Sequence, residues 1–167
     1  IIDDKSYFPV TGPRLAPFDD EGDFYQSMYK FESPVFLKEG EHTIRAFPCR
    51  SYGECLKNPG SFDIVKFFVK KKKISKGIKL SKPYITYNEP TNRAKYKVKD
   101  PILLDFYLKN CDLSQDGYRV RVTIDGKKQR ILFEWIPYYI YGLKSGKHTI
   151  NLTLLDKKNH PVNNQYS

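Results

Sequence analysis

The stretch Leu37-Lys38-Glu39-Gly40-Glu41-His42-Thr43-Ile44 returns as Leu143-Lys144-Ser145-Gly146-Lys147-His148-Thr149-Ile150, with six of the eight positions identical. Self-similarity of this kind means that one supersecondary unit has been used twice. Each copy reads as a turn at glycine that opens a strand. Gly40, His42, Gly146 and His148 are therefore the expected structural residues of the repeat, the imidazoles satisfying local backbone groups in their turns.

A second, weaker match lies upstream of each copy, Ile2-Asp3-Asp4-Lys5 in the first and Ile124-Asp125-Gly126-Lys127 in the second. Both read as a strand running into a tight turn, because Asp-Asp and Asp-Gly tolerate the positive φ of a hairpin. The first copy is longer between these marks by about 16 residues, which falls in a stretch containing Asp19-Asp20-Glu21-Gly22-Asp23. That stretch, 11–32, is expected to be a long surface loop of the kind that often carries function.

Alternation and turn chemistry place strands at 82–87, 102–108, 118–124, 129–134 and 148–155 in the second copy, and at 44–47 and 62–69 in the first. Val120, Val122 and Ile124 alternate cleanly with Arg119, Arg121 and Thr123, whereas Ile102 to Leu108 alternates imperfectly. No window holds three turns of an amphipathic helix. Thirteen Tyr and eleven Phe beside one Met and one Trp fit pleated, half-buried surfaces. The expected fold is all-β, with two immunoglobulin-like antiparallel β-sandwich modules, because each copy has too few strands to close a roomy barrel. The first module spans 1–73 and lacks its N-terminal strands; a lysine-rich linker occupies 74–80; the second spans 81–167 and lacks its last strand. The chain is thus expected to begin inside one module and end inside another, as a fragment or a processed product would.

Twenty-nine Lys and Arg against nineteen Asp and Glu give a net charge of +10, which favours an anionic partner. Much of the excess lies in the run from Lys70 to Lys82, and lysine is also an ordinary means of keeping aromatic β proteins soluble and their edges unpaired. No run of about 18 apolar residues is present to span a bilayer. Cys49, Cys55 and Cys111 fit neither a full disulfide framework nor a four-ligand zinc site. Cys49 and Cys55 would close a small loop in an oxidising compartment and remain thiols in a reducing one; Cys111 reads as a small residue at a strand end.

The block Leu-Lys-x-Gly-x-His-Thr-Ile, with 119–127 running through 155–159, resembles the penultimate hairpin of immunoglobulin-like modules in uncharacterised secreted or lipid-anchored envelope proteins of Gram-negative bacteria. The stretch from Ala46 to Phe62, with Arg50-Ser51-Tyr52-Gly53-Glu54 inside it, is similar to a crossover of the same proteins. The resemblance implies the fold and an extracytoplasmic place in the periplasm, the outer membrane or the secreted fraction, and no reaction.

No catalytic constellation is legible. Nucleophilic chemistry needs a Ser or Cys beside an oriented base, and Cys49 with His42 stands on opposite faces of an extended strand. His148, His160 and Asp156 match no zinc spacing, and the acids of the long loop lack the EF-hand pattern. No metal, no cofactor and no catalytic residue are expected. Ligand contacts are expected instead from aromatic clusters: Trp135, Tyr138, Tyr139 and Tyr141 near Phe133 and Pro137, and Phe24 and Tyr25 in the long loop. Alternating members of such clusters pack cores, and exposed ones form platforms for a sugar ring or a protein. The expected function is a non-catalytic binding, adhesion or scaffold module that presents loops and sheet edges to a protein or glycan of the cell envelope, alone or in a larger assembly. The alternative is a basic nucleic-acid-binding β module, for which aromatic residues interleaved with cations are suited.

Overall fold

The computed structural model describes residues 1–3, 5, 7–10, 32–58, 60–71 and 78–163. Among them lie eight strands and no helix: β1 (Gly40–Ala46), β2 (Asp63–Val69), β3 (Tyr84–Glu89), β4 (Ile102–Lys109), β5 (Arg119–Ile124), β6 (Lys128–Leu132), β7 (Tyr138–Ile140) and β8 (Ile150–Leu155). They form three small antiparallel sheets, β1-β2, β3-β4-β7 and β6-β5-β8. The protein is all-β. The first copy contributes a single two-stranded sheet among the described residues.

Strand β5 shows why these residues make sheet. Val120 and Val122 are buried while Arg119 and Arg121 are only partly covered, so the period of two puts one face inward. The chain then reverses at Asp125-Gly126, both at positive φ (54° and 68°), and the Lys127 amide donates to the Ile124 carbonyl at 3.1 Å. Two successive positive φ values make a type I′-like turn whose twist suits a hairpin, and Lys127 is one extra residue of the connection, so that pairing resumes with Ile124 opposite Lys128.

Strand β4 is buried on both faces, which explains why its sequence alternates poorly. Phe106 and Leu108 point one way, into a core shared with Ile85 of β3, Val120 of β5 and Leu154 of β8, where the two three-stranded sheets meet. Tyr107 points the other way, into a second core made with Cys55, Phe62, Ile64, Ile78 and Tyr84. In that second core Phe47 and Phe62 stack on Tyr107, with ring centroids 4.5 and 4.8 Å away. Trp135 packs against both cores. Fully burying a side chain such as Phe106 is worth about 1.5–3 kcal/mol, so β4 anchors both halves.

Strand β7 was not expected as a separate strand; the residues after Pro137 read from sequence as an aromatic exit. It is three residues long and pairs with β4, Tyr139 opposite Leu103. A strand so short carries no period, and its partner lies far back in the chain.

Candidate functional site

The two repeated corners are built from the same parts. In the first, Asp3 sits at φ 51° and its carboxylate accepts from the Thr43 amide at 2.9 Å while meeting the His42 Nδ1 at 2.8 Å. The other imidazole nitrogen, Nε2, lies 2.8 Å from the Lys38 carbonyl. In the second, Asp125 at φ 54° holds the Thr149 amide at 2.9 Å and His148 Nδ1 at 2.7 Å, and Nε2 lies 2.8 Å from the Lys144 carbonyl. Gly40 and Gly146 take φ 131° and 143°, which L side chains rarely adopt. Ile2 bridges to Ile44 as Ile124 pairs with Ile150.

Both ring nitrogens of each histidine face acceptors, and only the imidazolium donates from both. The carboxylate bond, followed by the carbonyl bond, raises the pKa of His42 and of His148 above 6.5. Asp125 is held below the usual carboxylate range by His148 and by the Thr149 amide. These are hydrogen-bonded clamps on a backbone reversal, with no nucleophile against either ring among the described residues.

Cys49 and Cys55 are joined by a disulfide, which closes the loop that carries Arg50, Tyr52 and Glu54. A bridge of this kind points to an oxidising, extracytoplasmic location. It also removes Cys49 from nucleophilic chemistry. Cys111 is the free thiol among the described residues, and burial pushes it up to about 11.

An aromatic platform stands beside that loop. Tyr141 is 69% and Tyr52 61% exposed, and Tyr139 is exposed at 42%. The Tyr139 hydroxyl donates to Glu54 Oε1 at 2.5 Å, which ties β7 to the disulfide loop. That bond first, then desolvation and the nearby Glu54, Tyr141 and Tyr52, push the Tyr139 phenol up to about 12. The Arg50 guanidinium donates to the Tyr52 hydroxyl at 2.5 Å. Tyr138 is half-buried, stacked on Phe106 at 6.5 Å, with its hydroxyl on the Glu134 carbonyl. Trp135 points inward, its Nε1 donating to the Phe106 carbonyl at 2.9 Å. Of the aromatic residues singled out from sequence, the structure thus groups Tyr139 and Tyr141 on the surface with Tyr52, and sets Trp135 and Tyr138 against the core. Phe24 and Tyr25, with most of the long loop, lie outside the described residues. Tyr52 stands out in the sequence only as part of the Arg50-to-Glu54 crossover stretch and not as a ligand contact; its position follows from the disulfide.

A groove of about 1010 Å³ lies on another side, between the edge strands β3 and β8 and the segments 90–100 and 142–149. Arg93, Lys95, Lys97, Lys99, Lys144 and Lys147 line it, and none of the six is ion-paired among the described residues. Tyr87 and Tyr96 stand in the same groove, both exposed.

The polar cluster least visible in the sequence is buried beneath Trp135. Asp105 is fully buried on β4, its Oδ1 2.5 Å from the Lys57 Nζ. Lys57 is 11% exposed, donates to the Phe106 carbonyl at 2.9 Å, and lies 3.8 Å from the centre of the Tyr107 ring. Asn88 donates to Asp105 Oδ2 at 2.8 Å. The register of β3 on β4 jumps from Tyr87 opposite Phe106 to Glu89 opposite Asp105, so Asn88 is the extra residue of a bulge, a device that re-aims a side chain. Desolvation lowers the Lys57 pKa despite the opposing effect of Asp105.

Among the described residues no three His, Cys, Asp or Glu side chains gather as a metal site, and His160 pairs only with Asp156, at 3.7 Å. No helix among them is long and apolar enough to cross a membrane. Compared with models of known families, with curated proteins and with solved structures, the chain matches none.

Proposed function

We propose that the chain is a non-catalytic, extracytoplasmic binding module of a bacterial envelope protein, built from immunoglobulin-like units and presenting a rigid loop and an aromatic strand to a glycan or protein of the envelope. The observation that carries the reading is the platform of Tyr52, Tyr139 and Tyr141. Rings of this kind supply large contact area at little entropic cost, and hot spots are enriched in Tyr and Arg. The disulfide and the Tyr139–Glu54 bond hold the loop in place before a partner arrives, which lowers the ordering cost of binding.

The test is binding of the purified chain to isolated envelope polysaccharides and envelope proteins, with Tyr139→Ala/Tyr141→Ala beside the native chain. Affinity should fall about tenfold or more in the double variant. Unchanged affinity with the fold intact removes the platform from the function.

A second reading is favoured by the cations of the β3/β8 groove, unpaired among the described residues, which with Tyr96 suit a polyanion such as a single-stranded nucleic acid. The same titration with an oligonucleotide separates the two. Binding through the groove weakens steeply as salt is raised, whereas binding through the platform depends on it far less.

A further inference from the structure

The Lys57–Asp105 contact is unusual for an ion pair. A buried pair must offset the desolvation of both ions, and it commonly does so with hydrogen bonds to every remaining polar atom. Here the ammonium donates to the Phe106 carbonyl and Oδ2 accepts from Asn88, but the amine otherwise faces the rings of Tyr107 and Trp135, and its carboxylate partner is sealed from water. Burial also lowers the pKa of the amine, against the opposing pull of Asp105, which eases formation of its uncharged form. An uncharged amine pressed on a carboxyl group in a dry pocket is a nucleophile beside an acyl acceptor.

We infer that Lys57 and Asp105 condense to an intramolecular amide, a covalent cross-link between the disulfide-loop crossover and strand β4. Nζ is 2.5 Å from Oδ1, so the carboxyl carbon lies at most one carbon–oxygen bond length further away. Holding amine and acyl carbon together in this way supplies the proximity that an uncatalysed condensation lacks. The step balances without an outside reactant. One proton passes from Nζ to Oδ1, and the freed nitrogen lone pair attacks Cγ. A second proton follows from Nζ to Oδ1, the Cγ–Oδ1 bond breaks, and one water leaves. The third proton stays on the new amide nitrogen, and Oδ2 becomes the amide oxygen.

Asn88 is the positioning residue. Its Nδ2 donates to Oδ2 at 2.8 Å, the oxygen on which negative charge gathers while Cγ is tetrahedral. The β3 bulge is what aims it there. The Phe106 carbonyl, which accepts from both Lys57 Nζ and Trp135 Nε1, orients the amine from the other side. The cross-link does not depend on the ligand of the aromatic platform, so either proposal can fail alone.

Intact-mass measurement of the purified, reduced chain tests it. The expected mass is below that of the sequence by one water, and a digest should yield one branched peptide joining Lys57 to Asp105. Lys57→Met and Asp105→Ala should each restore the full sequence mass. Asn88→Ala should retain the β signal in circular dichroism and accumulate the cross-link at least about tenfold more slowly, as loss of an oxyanion donor does. A native chain of full sequence mass overturns the inference. So does a loss of one ammonia, which would make Asn88 rather than Asp105 the acyl partner. An unchanged rate in the Asn88 variant overturns the role given to that residue.

Discussion

The corner at His42 and the corner at His148 hold the same five groups in the same arrangement but differ in what covers them. In the first copy the His42 and Asp3 side chains are 11% and 29% exposed, and Phe67 of β2 packs on the imidazole with ring centroids 5.6 Å apart. In the second the figures are 25% and 42%, and β8 pairs only with β5 among the described strands. Equal geometry under unequal cover teaches that the clamp is set by local sequence. Tertiary packing changes how much the clamp is worth, because a hydrogen bond gains strength and its loss gains cost as water is excluded.

The sharpest way to break this comparison is to remove the carboxylates one at a time. Asp3→Ala strands the amide of buried Thr43 and both leaves the His42 Nδ1 unpaired and opens the turn, and should cost about 1–3 kcal/mol in chemical denaturation. Asp125→Ala should act in the same direction and by less, since water can replace the lost partner. Equal losses would show that cover does not matter.

Phe67→Ala should sharpen it, by stripping the first corner of a ring that has no counterpart on the second among the described residues. A loss of about 1 kcal/mol is expected in the same denaturation series. Combined with Asp3→Ala, it should give less than the sum of the two single losses, because both act through one imidazole.

The smallest effect is the response to pH. Both imidazoles have folded pKa values above the unfolded 6.5. Their contribution is therefore fully present below about pH 6.5 and is lost as pH rises through the folded values. Asp125 has the opposite sign: its folded pKa is below 3.8, so its contribution is present above that value and lost as pH falls through the folded one. Thermal melts across this range should show a plateau in mildly acidic buffer with a decline on either side, and NMR titration of the two imidazoles should place both midpoints above 6.5. Midpoints at or below 6.5 would mean that the rings do not donate from both nitrogens.

The residues near the corners were legible because duplication marks them: a Gly-x-His-Thr-Ile block seen twice needs no alignment to be noticed. The strands of clean alternation, β5 above all, were legible for the same reason that they fold, since the period of two fixes which face is buried. The bond between Cys49 and Cys55 was left open by a spacing that serves thiols as well as a bridge. Lys57, Asn88 and Asp105 carried no signal as a set, because three distant residues are joined only when the crossover lies over β4. One trace was present: an aspartate in the middle of Ile102-Leu103-Leu104-Asp105-Phe106-Tyr107-Leu108, where a charge inside an apolar run calls for a partner. The partner itself could be found only in three dimensions.

Phe47 and Phe62 lie against Tyr107, whose hydroxyl donates to the Leu56 carbonyl at 3.1 Å. The repeats are therefore mortised, not strung like beads, and a saw cut through the lysine-rich stretch would leave two halves each with a raw greasy face. Anyone preparing the second half by itself should find a sticky, self-associating product, whereas co-expressed halves should dock again through that joint.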